Sequence, residues 1–177
     1  MSLSFRELGA AFHGMVLGTI YLLLFSGVIF ALWNLKPGWS SENATRIQVK
    51  ALKIGSSIMA VATWLTVITG TYIVYPWYRA KPPEGITDLA DYPRYYLLAN
   101  SNLAGWHKFG MEWKEHIAWL APILATAVAV IIVRHGSKLV AEEKIRTALI
   151  GMITIAFGVV GIAALLGAFI TKAAPIH

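Results

Sequence analysis

Four stretches of this chain carry no Asp, Glu, Lys or Arg, and no other feature limits its possible folds so sharply. They run for 28 residues between Glu7 and Lys36, 25 between Lys53 and Arg79, 18 between Glu115 and Arg134, and 25 between Arg146 and Lys172. A helix needs roughly 20 apolar residues to cross a hydrocarbon core about 30 Å thick. Inside that core the backbone finds no water, and a helix satisfies every amide within its own segment. The sequence therefore predicts an all-α, integral membrane, four-helix up-down bundle forming one domain over residues 1–177. Its spans are expected at about 8–33, 54–75, 116–133 and 147–170, with one long loop at 79–115.

Local punctuation supports these spans. Ser4 is placed to cap the first helix, and Lys36-Pro37-Gly38 breaks it. Tyr75-Pro76-Trp77-Tyr78 closes the second with aromatic residues suited to the headgroup level. Trp106, Phe109 and Trp113 recur at helical spacing ahead of the third span, on a stretch expected to lie on or enter the membrane surface. Pro122 removes one backbone hydrogen bond inside that span and predicts a kink. The first apolar run is longer than the core of a signal peptide and lacks a small-residue cleavage site, so it is read as a retained span.

Charge sets the expected orientation. The connectors after the first and third spans hold Lys36, Arg46, Lys50, Lys53, Arg134, Lys138, Lys144 and Arg146 against Glu42, Glu142 and Glu143. The opposite side carries seven basic residues and six acids. Basic short loops face the cytoplasm, which puts both termini and the long loop on the outer, periplasmic side of a bacterial inner membrane. The net charge of +6 thus reports topology rather than nucleic-acid binding. There is no cysteine, which excludes disulfides, thiolate metal sites, iron–sulfur clusters and thioether-linked haem. None of the four runs holds an acid or a base other than histidine, against what ion pumps and proton-coupled carriers require.

Histidine is the chemistry that remains: His13, His107, His116, His135 and His177. Spans one and three run in the same direction. His13 lies 8.5 residues before the middle of the first charge-free run, and His116 lies 8.5 before the middle of the third. At 1.5 Å per residue both fall about 13 Å from the midplane, level with each other. Diagonal axes of a four-helix bundle stand roughly 11–14 Å apart. Two inward imidazoles across that gap suit the two axial positions of a haem iron. Gly14 and Gly9 beside His13 offer room for a flat ligand, or for close helix packing. His107 stands above as a surface residue, a propionate partner or a replacement ligand. His135 sits alone at the opposite face, and His177 lies in the tail.

Four apolar helices with level histidines on the first and third resemble the membrane b-type cytochromes of respiratory and photosynthetic chains. The resemblance implies one haem b held by His13 and His116 near the outer face. It also implies a subunit that passes electrons between a quinone or partner subunit and an acceptor, within a larger oxidoreductase complex. Many such cytochromes stack two haems, which these histidines do not provide for. Two other readings stand beside this one. The chain is a cofactor-free structural subunit of a membrane complex, or its histidines hold chlorophyll or copper, with Met15 and Met111 as soft neighbours for the metal.

Overall fold

Ser4 caps the first helix as expected. Its hydroxyl accepts from the Glu7 amide at 3.2 Å, and its own amide donates to the Glu7 carboxylate at 2.7 Å. This reciprocal pair satisfies two helix-end donors. From there the computed structural model, which describes residues 4–175, is helical throughout its ordered elements, with no strand among the described residues. The elements are α1 (Phe5–Asn34), α2 (Glu42–Tyr78), α3 (Pro93–Ala99), α4 (Trp106–Val140) and α5 (Glu143–Ala173). All but the short α3 are long and apolar enough to cross a membrane. The chain is thus a multi-pass membrane protein.

The helices outrun the charge-free stretches that announced them. α2 reaches back to Glu42 and takes in Lys50 and Lys53, while α4 starts at Trp106 and takes in Lys108, Glu112, Lys114 and Glu115. The charge pattern marked apolar windows rather than helix ends, because long basic side chains can lie along a helix with their heads elsewhere. α4 is interrupted at 117–119, where turns replace α-helix before Leu120 resumes it. Pro122 has no amide to bond back to residue 118 and its ring crowds that carbonyl, so the break falls one turn before it. Part of the expected loop is also ordered. α3 buries Pro93 and Leu97.

The chain divides into two compact units, and each long helix supplies a segment to both. The first comprises Met1–Gly18, Leu65–Trp119 and Val160–His177. Its core joins Tyr78, Leu97, Met111, Ile170 and Ala174, with Tyr75, Trp77, Leu103 and Trp106 packed against them. The second comprises Thr19–Trp64 and Leu120–Val159. Leu32, Leu52, Met59, Val128, Ile132, Leu149 and Ile153 are fully buried there, and Phe25 stacks on Phe157 at 4.1 Å between ring centroids. Trp64 Nε1 donates to Thr126 Oγ1 at 2.9 Å, and Thr126 returns its own proton to the Pro122 carbonyl at 2.7 Å. At the end of α4 the buried Arg146 donates to the Leu139 and Val140 carbonyls at 2.5 and 2.6 Å. A guanidinium thereby satisfies carbonyls that the helix end leaves open. Large apolar side chains such as Leu23, Phe30, Val61 and Leu165 remain exposed on the long helices, as lipid-facing positions do.

Candidate cofactor site

Three of the four long helices contain a π turn, and all three turns lie in the first unit: Phe12–Val16 in α1, Gly70–Val74 in α2 and Trp106–Met111 in α4. A π turn inserts one extra residue into a helix, which re-aims the side chains around it, and such turns concentrate at functional sites. Here the first carries His13, the second opens on the glycine that His13 rests against, and the third carries His107.

His13 is held from two directions. Its Nδ1 lies 3.1 Å from Thr69 Oγ1. The single Thr69 hydroxyl proton is directed into its own helix, at the Leu65 carbonyl (2.8 Å) or the Thr66 carbonyl (3.1 Å), so toward the ring this oxygen accepts. Nδ1 therefore carries the proton, an assignment made from the hydrogen-bond network. In a neutral imidazole this leaves the lone pair on Nε2, the arrangement a metal-ligating histidine uses. The ring also lies directly on α2. A Cβ at Gly70 would stand 2.7 Å from Cε1, 3.2 Å from Nε2 and 3.4 Å from Nδ1. Glycine is the residue that permits this seat.

His116 goes to different surroundings. Its side chain is 68% exposed. Nδ1 donates to the Glu112 carbonyl one turn back at 2.9 Å, with Glu112 Oε2 at 3.6 Å. This tautomer also leaves Nε2 uncommitted, but on an outward face. The reason is helical phase. Phe109, Trp113 and His116 fall at i, i+4 and i+7, and Phe109 is itself exposed. His107, Met111 and Lys114 form the parallel series on another face, and the first two are buried. Lys114 and His116 are two residues apart, roughly 200° around an α-helix. At this height Lys114 takes the inward position. Its ammonium packs against α5 so closely that a Cβ at Gly167 would collide with Nζ.

Above that level His107 is buried and shares a 2.9 Å hydrogen bond between Nδ1 and the Tyr78 hydroxyl, beside Met111. Gly110, in the same π turn, lets α4 close on Leu166 and Ile170 of α5, which would lie 3.4 and 3.5 Å from a Cβ there. Nearby, Glu115 Oε2 lies 3.8 Å from the Arg79 guanidinium, which also donates to the Tyr75 hydroxyl. Glu112, Glu115 and His116 bring ligand atoms within 4.8 Å of one another, a group able to hold a metal ion by composition. In the second unit, His135 donates Nδ1 to the Ile131 carbonyl at 3.1 Å and faces Glu142 at 3.9 Å. His177 lies outside the described residues. The two methionines named for copper part company: Met15 is 71% exposed and Met111 is buried. Gly9 serves helix packing, with Ile73 of α2 at 3.5 Å from a Cβ there, while a Cβ at Gly14 would meet nothing within 4 Å.

Of the residues present, His13, held by Thr69 through Nδ1, has the donor chemistry of one axial ligand to a haem iron. Sequence reasoning missed Thr69, Gly70, Tyr78 and Lys114 as members of the site. Lys114 was legible in part, since it continues the seven-residue spacing from His107. The π turns carry no sequence signal of this kind. Comparison with protein-family models, curated proteins and solved structures gives no match for the chain.

Proposed function

We propose that this chain is a b-type cytochrome subunit of a membrane oxidoreductase complex, carrying one haem b with His13 as an axial ligand. The observation that carries this reading is the double constraint on His13, whose Nδ1–H is held at Thr69 while its ring is seated on Gly70. Such a hold fixes ring orientation and raises ligand basicity, as outer-sphere partners of metal-bound histidines do. The haem, when bound, supplies one-electron chemistry between a quinone or partner subunit and an acceptor. The chain's own part is to hold and orient the ligand. His116 is the proposed opposite ligand, level with His13 and with its Nε2 free. The proposed setting is an up-down bundle in a bacterial inner membrane with both termini periplasmic, supported by the basic connectors at 36–53 and 134–146.

One observation favours a second reading, a cofactor-free structural subunit: His116 faces outward, with its partner in its own helix. A reduced-minus-oxidised spectrum of the purified protein separates the two. The haem reading expects a b-type signal that is lost in His13→Ala and in His116→Ala. Loss in His13→Ala with retention in His116→Ala keeps the haem and removes His116 from it. A folded, colourless, iron-free wild type refutes the haem reading.

A further inference from the structure

Two side chains that lack only a proton to bond face each other across the short connector between α4 and α5. His135 stands near the end of α4 and Glu142 directly precedes α5, and both belong to the second unit. His135 Nδ1 donates to the Ile131 carbonyl at 3.1 Å, so a neutral ring carries its lone pair on Nε2. That nitrogen lies 3.9 Å from Glu142 Oε2. The Glu142 oxygen is itself buried and has no hydrogen-bond partner. Two acceptors therefore meet across a gap about 1 Å longer than a charge-assisted hydrogen bond. The cations around them are placed otherwise. Arg146 of α5 donates to the Leu139 and Val140 carbonyls, and the Lys53 ammonium of α2 lies over Gly136, where a Cβ would stand 3.1 Å from Nζ. Arg134, Lys138, Glu143 and Lys144 are exposed.

We infer that His135 and Glu142 form a proton-operated latch, open while the imidazole is neutral and closed by its protonation, which ties the end of α4 to the start of α5. A proton on Nε2 turns that nitrogen into a charged donor and gives the buried Glu142 oxygen the partner it lacks. The imidazolium keeps its Nδ1 bond to Ile131, so closure needs an approach of the two side chains and no ring flip. An imidazole ordinarily titrates near pH 6.5, about; the tie is present below that range and is lost as pH rises through it. The inference is independent of the haem reading, since it uses no residue of the first unit.

The test is amide hydrogen exchange of the full chain in detergent micelles with a metal chelator present, at about pH 5.5 and about pH 8, either side of the imidazole range. Rates are corrected for the intrinsic effect of pH, and a peptide around the buried Leu149 reports that each variant is folded. In wild type the connector at 136–142 should be about threefold more protected at the lower pH, the scale of a partly exposed ion pair. Glu142→Gln and His135→Asn should show no such rise. His135→Lys, charged at both pH values, should be protected at both and should lose that protection when Glu142→Gln is added. Equal protection of the wild-type connector at the two pH values would overturn the inference. A rise that persists in Glu142→Gln would overturn it as well, because another group would then carry the effect. Protection that ignores pH but appears when the chelator is replaced by Zn²⁺ would overturn it in favour of a metal ion between the same two atoms.

Discussion

Gly70→Ala is the most informative single change. The added Cβ would lie 2.7 Å from His13 Cε1 and 3.2 Å from Nε2, well inside ordinary contact. These neighbours belong to a rigid ring that is also tied to Thr69 through Nδ1, so moving the ring off the new methyl disturbs that bond. The ring must withdraw, and the 3.1 Å bond to Thr69 breaks. Overpacking of this kind costs about 1–3 kcal/mol, and the lost hydrogen bond adds about 1 kcal/mol. Alanine returns up to about 1 kcal/mol through its better helix propensity. The net expectation is a destabilisation of about 1–3 kcal/mol, read as a lower thermal midpoint by circular dichroism in detergent. Haem titration of the same sample should show an affinity reduced at least tenfold. A Gly70→Ala protein that is more stable than wild type and keeps its spectrum would refute the seating of His13 on α2.

Three further changes probe the same region. Thr69→Val leaves the His13 Nδ1–H without its side-chain acceptor and should lower haem affinity about 10–100-fold, the usual effect of losing an outer-sphere partner; Thr69→Ser should stay near wild type by the same titration. Tyr78→Phe strands the buried His107 and should cost about 1–3 kcal/mol in thermal unfolding. It should leave the spectrum unchanged, and a shifted spectrum would move His107 into the ligand set. Leu97→Ala empties a fully buried position of α3 in the core of the first unit, and should cost about 2–5 kcal/mol. Limited proteolysis should then cut between residues 80 and 105 faster than in wild type.

Which parts of this were legible beforehand follows from the physics of each signal. The absence of charge over 18 to 28 residues is a statement about solvent, and it announced four long apolar helices without reference to any contact. Ser4 and Pro122 act on their own backbone neighbours, so a cap at Ser4 and a disturbance of α4 around Pro122 were readable as well. The depth of a histidine is additive along a helix, and it could be counted. The direction it faces is not fixed by depth. Height alone makes His13 and His116 a pair. The face depends on helical phase and on π turns, and those are settled by packing: Gly70 receives the His13 ring, Gly110 admits α5, and Lys114 takes the inward position two residues before His116. The sequence by itself determined the solvent, the number of long helices and the candidate residue types. Only the tertiary structure decided which of them meet, because a rotation of roughly 200° separates a half-buried lysine packed on α5 from an exposed histidine while barely altering the pattern of apolar residues.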